Sequence, residues 1–216
     1  MNSITDKRNP VLLVHGIFDT GRVFYRMVLD LTRKGWNVHT IDLKPNCGEV
    51  GLDELAQQIK KYIDKNFAPE QPIDIVGFSM GGIVSRYYVQ RLGGIQRTQR
   101  FITISSPHNG TWIAYLRPGI GCSQMRPNSE FLADLNQDIH ILEKVQFTSM
   151  WTPYDLMILP PQSSQVPVGE EVILPVMLHA WMIKDTQSIE KVGEILKTPL
   201  IQDECHQFAD VAHHQK

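Results

Sequence analysis

Residues 73–81 read Ile-Asp-Ile-Val-Gly-Phe-Ser-Met-Gly. A short apolar run enters a serine bracketed by two glycines, and Ile83, Val84, Tyr87 and Tyr88 follow at helical spacing. Few architectures accommodate such a join. A strand that becomes a helix within one or two residues must bend sharply, and side chains at the flanking positions would collide. Gly77 and Gly81 make the turn passable, and the strain raises the Ser79 hydroxyl above the strand end. The plainer alternative is a strand-to-helix turn with a capping serine.

The rest of the chain supplies a sheet for this turn. Val11–Val14 is a buried-type apolar run that stops at His15-Gly16. Residues 21–32 read as a helix, and Trp36 to Leu43 as a second strand closed by Pro45. Leu52, Leu55, Ala56, Ile59, Tyr62 and Ile63 mark an amphipathic helix with lysines on its polar side. Ile73–Val76 and Phe101–Ile104 are two more strands. Strand and helix alternate four times, which predicts a mostly parallel α/β sheet flanked by helices. The second half is less regular. It predicts a short helix over Ser129–Leu135, a fifth strand over Val145–Trp151, a last strand over Val176–Leu178 and a closing helix capped by Asp185 or Thr186. No internal repeat or long linker interrupts the chain, so residues 1–216 are expected to form one domain with a short cap segment.

Composition narrows the partners. A formal charge of -2 gives no basic face for nucleic acid. The N-terminal residues carry no signal-peptide pattern, and no apolar run is long enough to span a bilayer, so a cytoplasmic, monomeric protein is expected, with at most transient contact with a membrane surface. Cys47, Cys122 and Cys205 are odd in number and form no C-x-x-C, which reads as reduced thiols, with a disulfide between two of them left open. His213 and His214 read as a solvated tail.

A serine hydroxyl needs a base. After a strand–serine–helix turn of this kind, the acid and then the histidine follow in the chain. His179 lies after the last expected strand and is the candidate base; His206, His213 and His214 fall beyond the closing helix. Asp155, on the loop after the fifth strand, is the candidate acid, with Asp138, Glu170 and Glu171 as rivals. Acyl transfer also requires donors for an oxyanion. The backbone N–H groups of Ile17, after His15-Gly16, and of Met80, at a helix N-terminus, are the candidates, and His15 reads as structural. Ser105-Ser106-Pro107-His108-Asn109-Gly110-Thr111 closes the fourth strand as a shaping loop. An apolar rim of Phe18, Trp112, Met125, Met157, Leu159 and Trp181 suits an acyl chain, while Arg117 and Arg126 fall in the irregular segment, where solvation is the plainer reading and an anionic head group the other.

His15-Gly16-Ile17, Gly77-Phe78-Ser79-Met80-Gly81-Gly82, Ser106-Pro107-His108-Asn109-Gly110-Thr111, Asp155 and His179 together resemble small bacterial triacylglycerol lipases of the cyanobacterial type. The resemblance runs from about Pro10 to the closing helix. It implies a minimal α/β-hydrolase fold and hydrolysis of carboxylic esters of glycerolipids without a cofactor or metal. It also implies a triad of Ser79, Asp155 and His179 with Ile17 and Met80 as oxyanion donors. A thioesterase or acyltransferase would use the same triad. Without a leader, a cellular lipid ester is the expected substrate.

Overall fold

A computed structural model describes residues 8–199 of the chain. Cys205, His206, His213 and His214 lie outside the described residues. Six strands form one sheet: β1 (Val11–Val14), β2 (Val38–Ile41), β3 (Ile73–Phe78), β4 (Thr98–Ile104), β5 (Gln146–Trp151) and β6 (Glu170–Ile173). All pairings are parallel, in the order β2-β1-β3-β4-β5-β6. The expected α/β-hydrolase architecture is therefore present.

Both faces of the sheet are covered, which is why its central strands read as continuous apolar runs. On β1, Leu12 and Val14 join one core with α2 (Leu52–Asn66) and α3 (Met80–Arg91). Val11 and Leu13 point the other way, into a core with α1 (Tyr25–Arg33) and α6 (Thr186–Ile195). The chain runs from β1 outward to β2, then returns to place β3 on β1's other side. Ligands of open parallel sheets bind in the crevice at such a reversal, beyond the carboxyl ends of the strands. Here that crevice lies between the residues after Val14 and the residues after Phe78.

The second half departs from the sequence-based expectation. The last strand is Glu170–Ile173, not Val176–Leu178. The strand is an edge, and three of its four residues are exposed, so it lacks the apolar run that marks a buried strand. Pro175, which cannot donate a ladder bond, follows it instead of opening it. Between β4 and β5 lie two short helices, α4 (Ile120–Gln124) and α5 (Glu130–Gln137), and 3-10 helices at Trp112–Leu116 and Ile139–Lys144. Ser129 caps α5 by accepting from the Leu132 N–H at 3.2 Å, and Asp185 caps α6 through the N–H of Gln187 at 2.9 Å. The buried Arg86 of α3 donates to the Leu135 carbonyl at 2.6 Å and to Asn136 Oδ1 at 2.9 Å, tying the irregular half to the regular one. Among the described residues no helix is long and apolar enough to cross a membrane.

Candidate active site

Ser79 occupies the turn between β3 and α3 with φ 54° and ψ -124°. A non-glycine residue holds such a backbone only where its surroundings enforce it. The strand side enforces it through the Ser79 N–H, which donates to the Ile104 carbonyl at 2.8 Å. The helix side does so by close packing. A Cβ on Gly77 would lie 2.6 Å from Gly82 Cα, and one on Gly81 would lie 2.3 Å from the Val14 carbonyl oxygen. A third glycine, the last of the Gly77–Gly82 motif, is equally constrained: a Cβ on Gly82 would stand 1.9 Å from Ser106 Oγ. The serine after β4 and the glycine after the turn are a matched pair, so α3 can dock against the end of β4.

His179 and Asp155 arrive from two loops. Asp155 follows β5, as expected. His179 opens a 3-10 turn, His179–Trp181, six residues after the end of β6. The loops are tied together by Thr152 Oγ1, which donates to the Val176 carbonyl at 2.6 Å. The His179 Nδ1–H donates to Asp155 Oδ2 at 2.7 Å. That bond fixes the tautomer and leaves Nε2 with its lone pair free to accept a proton. Asp155 is buried, and its other oxygen accepts from the backbone N–H groups of Met157 at 2.8 Å and Ile158 at 2.9 Å. Burial pushes its carboxyl up, but the hydrogen bond and charge of His179 and the two backbone donors prevail and hold it below the ordinary carboxylate value. The ring of Phe78, the residue before Ser79, packs against the imidazole at 4.8 Å between centroids. The Ser79 hydroxyl makes no hydrogen bond with a described residue, His179 included; a nucleophile–base bond often tightens only in the complex.

The rival acids are engaged elsewhere. Asp138 pairs with Arg91 at 2.6 Å, and Glu171 accepts from Trp151 Nε1 at 2.8 Å. Glu170 is exposed on the edge strand. His15 is structural, as read from the sequence. Its Nε2 accepts from the Leu43 N–H at 2.9 Å, so its Nδ1 carries the proton and donates to the Gly16 carbonyl at 2.8 Å. This pins the loop after β1 to the end of β2. In that loop the Phe18 N–H is spent on the Asn46 carbonyl, whereas the Ile17 N–H has no acceptor among the described residues. Met80 opens α3, where N–H groups lack intrahelical acceptors. Both expected oxyanion donors are therefore available beside Ser79. His108 is buried against Thr103 Oγ1 at 3.0 Å, and burial holds its ring well below the usual histidine range, which fits a neutral shaping residue.

A groove of about 310 Å³ opens at Ser79. Phe18, Met125 and Met157 line it, as expected. Trp112, Leu159 and Trp181 do not. Trp112 stacks on Tyr115 at 5.4 Å, the Leu159 backbone is tied to Thr111 and Trp112, and Trp181 stands half-exposed at the end of the His179 turn. Ile113, Leu116 and Cys122 line the groove in their place. The 3-10 period explains the exchange. Residues three apart share a face, so Trp112 and Tyr115 take one side of the turn while Ile113 and Leu116 take the other. The three-residue spacing is the sequence signal that separates the two sides. Arg117 is not simply solvated: it lines the groove and lies over the Phe18 ring at 4.4 Å. Cys47 and Cys122 are free thiols. Among the described residues no cluster of histidine, cysteine or carboxylate side chains could hold a metal.

The profile of the palmitoyl protein thioesterase family matches residues 10–115. That stretch ends before Asp155, His179 and half of the groove. Among solved structures, the chain is similar to the mature form of the lipase BlEst2 from Bacillus licheniformis, with a TM-score of 0.73 at 14% identity over 88% of this chain and 93% of that one. It is also similar to lipase B from Aspergillus fumigatus, with a TM-score of 0.70 at 18% identity, covering 83% of this chain and 50% of that one. A lipase-esterase related protein from Clostridium acetobutylicum gives 0.65 at 14% identity, over 87% and 94% of the two chains. At these identities the likeness is one of fold: an α/β-hydrolase sheet with lipase- and esterase-like neighbours.

Proposed function

We propose that this chain is a serine hydrolase that cleaves carboxylic esters of acyl lipids through an acyl-enzyme. Ser79 would attack the carbonyl while His179 Nε2 takes its proton. Asp155 would stabilise the imidazolium, and the N–H groups of Ile17 and Met80 would receive the oxyanion. His179 would then return the proton to the leaving alcohol, and water would release the acid by the same steps. The observation that carries this reading is the 2.7 Å His179–Asp155 bond beside a strained Ser79 at the mouth of an apolar groove. One wall of that groove is the segment after β4, which is folded back and held by Thr111 Oγ1 to the loop carrying Asp155. Soluble short and medium acyl esters should therefore be hydrolysed without a lipid interface. Initial rates measured across the solubility limit test this. A rate near zero below the limit with a steep rise above it would replace the open groove with a moving lid.

A thioester substrate is the second reading, favoured by the family profile over residues 10–115. The acyl-enzyme is common to both chemistries, so matched oxygen esters and thioesters of one acyl chain separate them. A clear kcat/KM preference for the thioester would move the assignment.

A further inference from the structure

The groove at Ser79 carries one charged side chain in its lining, Arg117. Its guanidinium lies over the Phe18 ring, which is itself half-exposed on the loop that holds Ile17. A second guanidinium, Arg126, covers the neighbouring Tyr115 ring at 4.8 Å, and its buried Nε has no hydrogen-bond partner among the described residues. Neither arginine forms an ion pair or a side-chain hydrogen bond with a described residue. By contrast, Arg91 grips Asp134 and Asp138, and Arg100 is paired with Asp74. The two free cations also share one field. Burial pushes the thiol of Cys122, a groove residue, up, and both Arg117 and Arg126 pull against it, so the charge of each is felt there. Stacking on an aromatic face holds a guanidinium in place while leaving its N–H edge open, and that edge matches the oxygens of a phosphate or carboxylate.

We infer that Arg117, supported by Arg126, forms an anion subsite at the lip of the acyl groove, so that the preferred substrate is an acyl compound with a phosphate group near its scissile bond. The inference rests on the hydrolase reading of Ser79. The phosphate could belong to a phospholipid-type oxygen ester or to a nucleotide-bearing thioester, and the chemistry of recognition is the same. A membrane surface is not required, since the cation lines the groove itself.

The test uses the full chain and monomeric substrates, all below their micellar concentrations. One pair is dihexanoylglycerol and its 3-phosphate. The other is a nucleotide-bearing hexanoyl thioester and its neutral truncated counterpart. The wild type should favour the phosphate-bearing member of at least one pair by about tenfold or more in kcat/KM, mainly through KM. The pair that shows this preference identifies the source of the phosphate. Arg117→Gln should lower that ratio at least fivefold, and Arg117→Lys should restore part of it. A wild-type ratio near one in both pairs, or a ratio unchanged in Arg117→Gln, would overturn the subsite. Calorimetric titration of hexyl phosphate into Ser79→Ala separates the two claims. Binding that weakens when Arg117→Gln is added supports the subsite even if no ester in the panel is cleaved. Absence of any such binding, together with equal ratios, counts against it.

Discussion

Residues 10–115 and residues 116–199 make different kinds of structure, and the chemistry is divided between them. The first stretch is a run of β/α units in which the central strands β1, β3 and β4 are buried between two cores. It supplies Ser79 on its strained turn and the backbone N–H groups of Ile17 and Met80, the proposed oxyanion donors. The second stretch holds Asp155 and His179, the proposed acid and base, outside its strands and adds a groove wall from turns and 3-10 helices. A backbone-defined site must keep its glycines, because Gly81 and Gly82 sit against neighbouring atoms with no room for a side chain. A loop-defined site needs only the bonds that hold the loops together, here Thr152 to Val176 and His179 to Asp155. That is a physical reason why a family profile can match the first stretch and stop at residue 115.

If the division is correct, the largest losses should come from either side of it equally. Ser79→Ala and His179→Ala should each lower kcat by roughly 10^6-fold, and the double variant little further, because nucleophile and base act as a unit. Steady-state rates of the three variants check this. A double variant much worse than either single would mean the two residues contribute separately. Asp155→Asn should be milder, costing on the order of 10^4-fold, since the amide leaves the shape intact but disturbs the tautomer.

Asp155→Asn also has a stability signature. A carboxyl held below its ordinary value of 3.8 in the folded state stabilises the fold above that value. The contribution is lost as pH falls through 3.8 and below. Between neutral pH and pH 3 the wild type should therefore lose more stability than Asp155→Asn, as read from urea midpoints at each pH. Parallel losses would mean that the Asp155 hydrogen bonds add nothing to the fold.

Arg86 tests whether the two stretches stand independently. Its guanidinium is fully buried, and its removal would orphan Asn136 Oδ1 and leave the Leu135 carbonyl with Gln90 Nε2 as its side-chain donor. Arg86→Met should destabilise the protein by about 2–4 kcal/mol in urea unfolding. A change within 0.5 kcal/mol, about the size of a surface substitution, would mean that the apolar face of α5 and the Gln90 and Arg91 contacts hold it without Arg86. The smallest expected effect is on acyl length. Each methylene buried along Ile113, Leu116 and Met125 should add at most ~0.8 kcal/mol to transition-state binding. The gain should level off once the groove is filled, as a series of saturated acyl esters would reveal.

The division also explains what could be read from the chain. The turn at Ser79, the loop at His15-Gly16 and the alternation of strands are local patterns, so short stretches reveal them. Asp155 and His179 could be chosen by chain order, although the strand placed before His179 lay elsewhere. An edge strand rich in glutamate has no apolar signature, and its place is set by pairing with β5. Groove residues were harder to identify. Trp112 and Trp181 are large and near the motifs, yet the side of a turn on which a residue falls depends on helix type and on distant anchors such as the Thr111–Leu159 bond. Gly82 could have been read from the sequence only with the knowledge that Ser106 packs against it.

The central claim is that Ser79 is the nucleophile of a working acyl-transfer site. Its most direct test is labelling of the folded protein with a fluorophosphonate, followed by intact-mass and peptide measurement. The account predicts one adduct per chain, located on Ser79, and none on Ser79→Ala. No adduct on a folded wild-type chain, or an adduct carried by Ser105 or Ser106 instead, would contradict it.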